Sequence, residues 1–522
     1  MSQFSEGDAA VNRLTAATTA FEKVLTEPEG VLVPMPLGQP QPSLSERLKR
    51  ALDAVTVQPA QAAAQATAAA QQASQSALAA AQSAADAASS AAATGYVDAP
   101  FPDVWAPLSD SLQLLAGSAP ADTLTISGTS YPLKTKSVSF SRASTATYID
   151  KSGVLQTAAI NEPRFEKEGL LIEEQRTNYY LNSNDPSKWA TSGVNKIQQA
   201  DGNTQAITGI MTLTADSGEI NILANSSPVS LSAGGVVSVS CRVKGTDGRL
   251  RIRIANSSTL VADCTLDLVN GVTTTGSGIV ITKSSIDGDG YYNFSCTFTA
   301  ATAESYYFQI RVLSRTGQTV IPAGAEIRLQ MPQLETGIGS TSYIPTTTTT
   351  VTRAADDCTS QRSGNDNYFG PVTIAAEVHC NGPTSTAGTT NRRGIISIMP
   401  SNTEYVVLMV DNSSATLGKF AFTYGGFSFN MASKVIDDGN MHIVCARSNT
   451  TQNQCCVDGE QLSNPTAVSR PTPGTVTAAN QVIMIGRGAG ATAPGQRMLN
   501  GHIRNLRIWH RALSDNQIKG IR

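Results

Sequence analysis

Two acidic turn sequences, Asp287-Gly-Asp289-Gly and Asp437-Asp438-Gly, are the places in this chain where paired carboxylates could do chemistry. Hydrolysis of a glycosidic bond needs two carboxylates held roughly 5–10 Å apart, and loop aspartates can also ligate Ca²⁺. Aspartate beside glycine is equally the composition of a hairpin turn, in which the carboxylate stabilises the backbone. We therefore interpret both sequences as turns. Asp287 and Asp289 stay weak calcium candidates, because the full spacing of a calcium-binding loop is missing.

The four histidines, His379, His442, His502 and His510, all lie in the C-terminal part of the chain. A histidine cluster for metal binding or catalysis is conceivable there, but no nucleophile motif accompanies it. The sequence contains no GxSxG, HExxH or phosphate-binding loop, and the glycine-rich turn at 486–490 precedes no helical pattern. We therefore predict no catalytic residue, no metal ligand, no enzymatic activity, and no cofactor beyond a structural calcium ion at most.

Sugar binding needs less: an aromatic ring against the C–H face of the sugar and a few polar side chains. Phe420, Phe422 and Tyr424 share one face of a predicted strand, which fits core packing better than a binding platform. Tyr424 lies at the edge of the following Gly-Gly turn with Phe427 just across it, so these two rings are the aromatic candidates. The polar candidates lie in or near loops and are Asn412, Arg487 and Asn500.

The eight cysteines lie between Cys241 and Cys456 and form no CxxC pair. Several alternate with apolar residues on predicted strands, which favours buried free thiols over disulfides or metal ligands. The adjacent Cys455 and Cys456 must point to opposite faces of a strand. Trp189 and Trp509 are likewise interpreted as core residues.

Composition restricts the class of protein. A chain of 522 residues suggests about three domains. Only 15% of the residues are charged and the net charge is -3, so the basic footprint of a nucleic-acid-binding protein is missing. The N-terminal sequence does not resemble a signal peptide, and no apolar stretch approaches the roughly 20 residues of a membrane span. We expect a soluble chain, made in a cytoplasm, that does not insert into membranes.

The segment 1–56 is predicted to form two helical pieces separated by a proline-rich linker. The apolar stripe of the first piece consists of Val11, Leu14, Phe21, Val24 and Leu25. The second piece opens with Ser43-Leu-Ser-Glu46, which has the spacing of a capping box, and its apolar residues are Leu44, Leu48, Leu52 and Val55. Neither helix could bury enough surface alone, so each needs copies of itself or another protein. A small self-contained helical domain is the alternative.

Residues 57–98 are rich in alanine, glutamine and serine, and alanine has the highest helix propensity. A long helix of this composition would need close packing against identical chains, as in a trimeric coiled coil. The alternative is a flexible low-complexity linker. In both cases this segment separates the N-terminal helical pieces from the rest of the chain.

From Phe101 onward, short alternating runs of Val, Ile, Tyr and Thr are separated by turns rich in Gly, Asn and Asp, which is typical of β-sandwiches. No βαβ rhythm occurs, so a Rossmann or TIM-barrel enzyme is disfavoured. The predicted strands are 236–243, 248–254, 291–298, 306–313, 371–379, 394–399, 404–410, 419–424, 441–447, 482–486 and 502–509.

Residues 138–356 resemble a recurring module of bacteriophage tail fibres. The opening motifs are FSRASTATYIDKSGVL at 140–155, NEPRF at 161–165 and GLLIEEQRTN at 169–178. The closing motifs are QLE at 333–335, TSYIPT at 341–346 and TRAAD at 352–356. The segment between them, which begins near NSNDPSKW at 182–189, resembles carbohydrate-binding jelly rolls.

The C-terminal segment 357–522 resembles a laminin-G or concanavalin-A-like sandwich. The resemblance lies in DGNMHIVCAR at 438–447 with VDG at 457–459, and in GHIRNLRIWHRALSDNQI at 501–518. Such motifs reflect the fold and not one ligand.

We therefore predict a mostly β chain in which N-terminal helices and an Ala-rich helical stalk precede two β-sandwich domains, a jelly roll and a concanavalin-like domain. The predicted parts are a helical virion-attachment segment (1–56), a stalk (57–98), a β lead-in (99–180), a jelly roll (181–356) and a laminin-G-like domain (357–522). The resemblance implies a homotrimeric tail fibre adhesin in the virion. Its residues 1–56 would bind other phage tail or baseplate proteins, and its C-terminal domains would bind host polysaccharide or lipopolysaccharide. A structural tail adaptor and a polysaccharide depolymerase are the alternatives.

Overall fold

The computed structural model describes residues 2–93, 98–118, 121–224, 227–257, 259–366, 370–381, 392–398, 406–411, 418–424, 429–467, 482–488 and 497–521. The chain divides into two units, Met1–Gly95 and Tyr96–Arg522. Among the described residues, no helix combines the length and the apolarity that a membrane span requires. The first unit is helical and the second is built almost entirely from antiparallel strands, so the predicted fold class is confirmed.

The helical unit consists of α1 (Ser2–Thr26), the short strands β1 (Leu32–Val33) and β2 (Gln41–Pro42), and α2 (Leu44–Ala93). The Ser43 hydroxyl accepts the N–H of Glu46 at 3.2 Å, as an N-cap should. The Glu46 carboxylate accepts the N–H of Gly30 at 3.0 Å and so connects the linker to the start of the helix. It does not accept the N–H of Ser43, which the predicted capping box requires. The second helical piece and the Ala-rich segment form one helix of 50 residues, about 75 Å long.

Both apolar stripes of the helical unit face solvent. Leu14 and Phe21 on α1 are 70% and 62% exposed, and Leu48 and Leu52 on α2 are each 62% exposed. Burial of one such side chain is worth about 1.5–3 kcal/mol, so the stripes are a large unused source of binding free energy.

The β unit opens with nine strands. They are β3 (Val104–Ala106), β4 (Ala121–Ile126), β5 (Thr129–Ser137), β6 (Ser139–Ser141), β7 (Ala146–Ile149), β8 (Leu155–Ala158), β9 (Phe165–Glu166), β10 (Gly169–Ile172) and β11 (Arg176–Asn178). Two pairs, β4–β5 and β7–β8, form local hairpins, and β11 pairs with a strand that begins at residue 351.

The next twelve strands form a jelly-roll-like sandwich of two six-stranded sheets, β12-β13-β23-β16-β21-β20 and β14-β22-β17-β18-β19 with β15 beside β22. Alternate residues of these strands and the ring of Trp189 fill its core, as expected for Trp189. The strands are β12 (Val194–Ala200), β13 (Ile207–Leu213), β14 (Glu219–Ala224), β15 (Val229–Leu231), β16 (Val236–Gly245), β17 (Arg249–Asn256), β18 (Thr259–Asp267), β19 (Thr273–Thr275), β20 (Ile279–Ile286), β21 (Tyr292–Thr299), β22 (Glu304–Leu313) and β23 (Glu326–Thr336).

The remaining strands of the described residues are β24, which pairs with β11, and the strands β25 to β35 of the C-terminal sandwich. They are β24 (Val351–Arg353), β25 (Asp357–Gln361), β26 (Val372–Cys380), β27 (Arg393–Ile398), β28 (Val406–Asp411), β29 (Lys419–Tyr424), β30 (Asn430–Val435), β31 (Met441–Ser448), β32 (Gln452–Val457), β33 (Thr466–Ala467), β34 (Val482–Ile485) and β35 (Gly501–Trp509), with the helix α3 (Asp515–Lys519). One sheet has the order β33-β32-β31-β26-β35-β10-β9, with β3 beside β35, and the other has the order β30-β29-β28-β27-β34-β25-β6.

Strands of the predicted lead-in therefore belong to both sheets of the C-terminal sandwich. β10 and β3 pair with β35, and β6 pairs with β25. Phe140, Leu170 and Ile172 lie in the same core as Phe420 and Phe422. The jelly roll is thus inserted into the sandwich, and its two connections meet where β11 pairs with β24.

A buried ionic network closes this junction. The Glu173 carboxylate accepts from Arg164 at 2.8 Å and from Arg353 at 2.6 Å, and the Asp356 carboxylate accepts from Arg164 at 2.6 Å and from Arg142 at 3.2 Å. All five side chains are at most 1% exposed. Each belongs to an opening or a closing motif of the phage-fibre-like module, so the two ends of that module are bound to each other here.

All eight cysteines are free and buried, which confirms that interpretation. Cys455 lies in the sandwich core, while Cys456 lies on the other face of the sheet with Trp509. The opposite orientation of these neighbours and the core position of Trp509 are also confirmed.

Candidate functional site

A cleft of about 730 Å³ lies where the opening strands, the jelly roll and the C-terminal sandwich meet, and we call it the junction cleft. Tyr148, Glu166 and Glu168 line it from the opening strands, and Thr282 lines it from the jelly roll. From the C-terminal sandwich it is lined by His379, Asn381, Asp438 and His502. Its walls therefore come from segments that lie far apart in the sequence.

Strand register places the two histidines side by side. β35 pairs with β10 so that His502 is opposite Leu171, and β26 pairs with β35 so that His379 is opposite His502. Their neighbours Val378 and Ile503 point the other way into the core. Gly169, with φ of +123°, allows β10 to approach, because a Cβ there would lie 2.8 Å from the carbonyl oxygen of Ile503.

The imidazoles form a continuous chain of polar contacts. His379 Nε2 is 3.0 Å from the carbonyl oxygen of Gly439, His379 Nδ1 is 3.2 Å from His502 Nδ1, and His502 Nε2 is 2.8 Å from Glu166 Oε2. Burial, aided by the neighbouring His502, lowers the pKa of His379 to about 4. His379 is therefore neutral at pH 7.

Carboxylates surround the exposed end of this chain. Glu166 Oε1 accepts the N–H of Ile149 at 2.8 Å, which fixes the carboxylate against the hairpin β7–β8. Ligand atoms of Glu166, Glu168 and His502 all lie within 4.8 Å of one another. Among the described residues, this is the group of His, Cys, Asp and Glu side chains with the spacing of a metal site.

A single histidine held between two aspartates lies beside the cleft. His442 contacts Asp458 Oδ2 through Nδ1 at 2.8 Å and Asp438 Oδ1 through Nε2 at 2.9 Å. Burial alone would raise the pKa of Asp438, but hydrogen bonds from His442 and Asn440 hold it at about 2. The Asp438 side chain also accepts the N–H of Asn440, so the turn interpretation of this sequence is confirmed.

The calcium candidates Asp287 and Asp289 form a turn in which Asp287 Oδ1 accepts the N–H groups of Asp289 and Tyr291. The Arg242 guanidinium donates to an oxygen of each carboxylate at 2.7 Å and lies 4.0 Å from the centroid of the Tyr291 ring. Burial alone would raise the pKa of Asp287, but the bonds from Arg242 and the turn lower it. A cation is already supplied by the protein, so this turn is not arranged for calcium.

Of the predicted contact residues, Tyr424, Arg487 and Asn500 lie in the described part of the chain, and each is engaged by the protein itself. The Tyr424 ring is 2% exposed and packs in the core beside Phe422, so it is placed for packing and not for contact with a ligand. Arg487 pairs with Asp357 at 3.1 Å, and Asn500 Oδ1 accepts the N–H of Glu174 at 2.8 Å. Both therefore hold the sandwich together. Phe427 and Asn412 lie outside the described residues.

Sequence reasoning did not single out Glu166, Glu168 or the pairing of His379 with His502. The signal was present in part, since a histidine cluster was considered and Glu166 directly follows the motif at 161–165. The missing information was the register between β10, β35 and β26.

Chemically, the junction cleft combines groups that bind polyhydroxylated ligands. Carboxylates accept hydrogen bonds from sugar hydroxyls, and hydroxyl groups both donate and accept them. The partly exposed Tyr148 offers an aromatic ring. Burial and the carboxylates of Glu162 and Asp150 raise the pKa of Tyr148, so its hydroxyl is a donor at neutral pH.

Residues 353–519 match a family model described as the concanavalin A-like lectin/glucanases superfamily. This agrees with the predicted C-terminal sandwich. No curated protein gave a sequence match to this chain.

Several solved structures are similar to parts of the chain. The heptameric SAP-like pentraxin of Limulus polyphemus is 14% identical, with 29% of this chain and 69% of that chain covered and a TM-score of 0.22. The CBM40 of the Ruminococcus gnavus IT-sialidase, bound to alpha2,6 sialyllactose, is 13% identical, with 29% and 83% covered and a TM-score of 0.22. Domains LG4-5 of the mouse laminin alpha1 chain are 13% identical, with 57% and 92% covered and a TM-score of 0.21.

Proposed function

We propose that this chain is a bacteriophage tail fibre adhesin whose β unit binds host-surface glycans in the junction cleft. The observation that carries the proposal is the cleft itself, an accessible volume of about 730 Å³ lined by an aromatic ring, carboxylates, an amide and hydroxyl groups. Its volume matches that of small-molecule binding sites, which are typically about 300–1,000 Å³. The lectin-like sandwich and the phage-fibre-like module on either side of it support the same function.

The helical unit would attach the fibre to the virion and join three copies of the chain. Its exposed apolar stripes support this proposal, because burial of these side chains against an apolar partner would stabilise the assembly. The exposed residues include Leu14, Phe21, Leu48 and Leu52. Three copies packed along α2 would bury the stripes. Three linked clefts would then raise avidity by factors of about 10²–10⁴ over one weak site.

We propose binding without catalysis. Of the cleft carboxylates, Glu166 is engaged by His502 and Ile149, and Asp438 is engaged by His442. A carboxylate held in this way at a pKa of about 2, as Asp438 is, is a poor general acid at neutral pH. The protein would act in the virion, on polysaccharide or lipopolysaccharide of the host.

The test is binding of the fluorescently labelled full chain to a panel of bacterial strains and to their purified surface glycans. Replacement of Tyr148 by alanine should weaken strain-selective binding at least about tenfold, because its ring is partly exposed while the other Phe and Tyr rings of the lining, Phe294 and Tyr343, are buried. The matched control is Tyr131→Ala, which removes a ring that is 50% exposed on β5 outside the cleft and should leave binding unchanged.

Other outcomes point to other functions. Equal binding by wild type and Tyr148→Ala would place recognition outside the cleft. Release of reducing ends from the glycan would establish a depolymerase. Absence of binding to every strain, with a folded oligomer, would favour a structural tail adaptor.

A further inference from the structure

Arginines line the outer face of the jelly-roll sheet β14-β22-β17-β18-β19. β17 runs Arg249-Leu-Arg251-Ile-Arg253-Ile, and its leucine and isoleucines lie in the jelly-roll core. Its three arginines therefore point away from the core. β22 pairs with β17 so that Arg311 is directly opposite Arg251. We call the group of Arg249, Arg251, Arg253 and Arg311 the arginine face.

The register of these strands brings like charges together. Two cations directly opposite each other on neighbouring strands destabilise a sheet, and Arg251 and Arg311 are such a pair. The Glu219 carboxylate offsets part of this repulsion, because it lies 3.1 Å from Arg251 and 3.3 Å from Arg311. Asp263 contacts Arg251 at 2.7 Å. Both carboxylates are therefore engaged by Arg251, and only Glu219 also reaches Arg311.

The charge that surrounds Arg253 is positive. The Arg253 guanidinium donates to the amide oxygen of Gln309 at 3.0 Å, and Arg311 donates to the same oxygen at 2.9 Å. Two cations thus converge on one neutral acceptor. Burial lowers the pKa of Arg253, and the charges of Arg311 and Arg251 lower it further, with larger effects than the opposite ones of the two carboxylates. An anion bound at this place would relieve the repulsion.

An aromatic ring and an amide accompany the arginines. Tyr307 is opposite Ala255 on β17, so it is a diagonal neighbour of Arg253 on the same face. Side chains in diagonal positions have Cβ atoms about 7–8 Å apart, which long and aromatic side chains can span. Tyr307, Arg253 and Gln309 are all partly exposed. Guanidinium groups bind carboxylates and phosphates through paired hydrogen bonds, and an aromatic ring can pack on the C–H face of a sugar.

We propose that the arginine face is a second glycan-binding site, which takes an anionic glycan with its carboxylate or phosphate groups on Arg253 and Arg311 and a sugar ring on Tyr307. The jelly-roll wall of the junction cleft comes from β16, β20 and β21, which belong to the other sheet. The two sites therefore lie on different sheets of the jelly roll. The proposal rests on the proposed function for its biological role, but binding at the arginine face does not require the junction cleft.

The test is biolayer interferometry of the full chain against immobilised polygalacturonate, which carries carboxylates, phosphorylated dextran and neutral dextran, in about 150 mM salt. Wild type should bind one of the acidic polysaccharides at least about tenfold more tightly than neutral dextran, and the preferred one identifies the anionic group. Arg253→Gln should weaken this binding at least about tenfold. Its thermal midpoint should not fall, because removal of one like charge relieves repulsion in the sheet.

The matched control is Arg328→Gln on β23 of the other sheet. Arg328 has a side chain that is 41% exposed, and its replacement changes the net charge by the same amount. This control should bind the acidic polysaccharide as wild type does. Arg253→Lys keeps the charge but lacks the planar guanidinium, so it should weaken binding at least about threefold.

Failure of wild type to bind either acidic polysaccharide would overturn the proposal, as would equal affinity in wild type and Arg253→Gln. An equal loss in Arg328→Gln would overturn it too, since net charge alone would then explain binding. Tighter binding to single-stranded DNA than to both acidic polysaccharides would indicate a nucleic-acid site instead. Tyr148→Ala, in the junction cleft, should leave this binding unchanged. A loss in Tyr148→Ala without one in Arg253→Gln would reject the arginine face and support the cleft, so the two failures are distinguishable.

Discussion

Replacement of Glu173 by glutamine should destabilise the β unit strongly. Glu173 accepts from Arg164, Arg353 and the Ser342 hydroxyl at 2.6–2.8 Å, and no part of its side chain is exposed. The variant removes the carboxylate partner that Arg353 contacts at 2.6 Å and leaves Arg164 paired with Asp356 alone. Removal of one partner from a buried ion pair costs about 3–5 kcal/mol, because the remaining charge stays in the interior without compensation.

The expected shift in midpoint follows from the size of the unit. A cooperative unit of roughly 430 residues unfolds with an entropy of about 0.9 kcal/mol/K, so the midpoint should fall by about 3–6 °C. Calorimetry or denaturant unfolding would measure it. The control Glu460→Gln, at an exposed ion pair with Lys434, should change stability by less than about 0.5 kcal/mol. Equal midpoints for Glu173→Gln and the control would refute the stabilising role of the network.

The same variant has a defined pH dependence. Burial alone would raise the pKa of Glu173, but Arg353 and Arg164 lower it from 4.5 to about 2. A lowered carboxyl pKa gives stability that is fully present above pH 4.5 and is lost as the pH falls towards 2. As the pH falls from 4.5 to 2, the free energy of unfolding of wild type should therefore decrease by about 3 kcal/mol more than that of Glu173→Gln. Glu335, whose pKa burial raises, is common to both proteins and cancels in the comparison. Parallel loss of stability in both proteins would contradict the assignment.

Three further predictions follow from the fold. A fragment of residues 99–354 leaves β3, β6 and β10 without the sandwich strands β25 and β35 that they pair with, so it should aggregate on size exclusion. An isolated jelly roll of residues 179–346 should be monomeric. A monomeric 99–354 fragment would argue against the insertion. Ellman's reagent should label no thiol of the native chain and eight thiols in guanidinium, because all eight cysteines are buried in the native state. Burial also raises the pKa of Cys380 to about 11 and that of Cys455 to about 12, which disfavours the reactive thiolate. Fast labelling of the native chain would contradict this prediction. Added calcium should leave the thermal midpoint unchanged. Asp287→Asn should lower the midpoint, because it removes a carboxylate partner of Arg242. A rise in midpoint with calcium that Asp287→Asn abolishes would instead support a calcium site at this turn.

Most strands were predictable because an alternating pattern reports directly on a strand with one buried face. The predicted strand at 419–424 coincides with β29, and the predicted strand at 236–243 lies within β16. The Ala-rich helix was predictable from local propensity alone. These properties depend on neighbours in sequence, so one sequence suffices to identify them.

The site depended on pairings that no local pattern contains. His502 and Glu166 are 336 residues apart, and their contact requires that β10 add to β35 after the whole jelly roll has been passed. The misplacement of Tyr424 has a related cause. Strand alternation tells only which face of the sheet an aromatic ring occupies. Whether that face is covered by the opposite sheet or is open to a ligand depends on the position of the opposite sheet, which the alternation does not show.

The junction is held together by buried ion pairs, although an apolar core at this place would be at least as stable. Burial of ion pairs is a poor source of stability compared with packed hydrophobic side chains. Apolar contacts are non-directional, however, and tolerate a shifted register, whereas Arg164 can satisfy Glu173 and Asp356 together only when β10 and the segment after β24 are aligned. The sandwich must join strands separated by the inserted jelly roll. A one-residue slip of β10 would turn Leu171 to the opposite face of the sheet and end its pairing with His502. Directional pairs at the two connections of the insertion therefore fix the register on which the junction cleft depends.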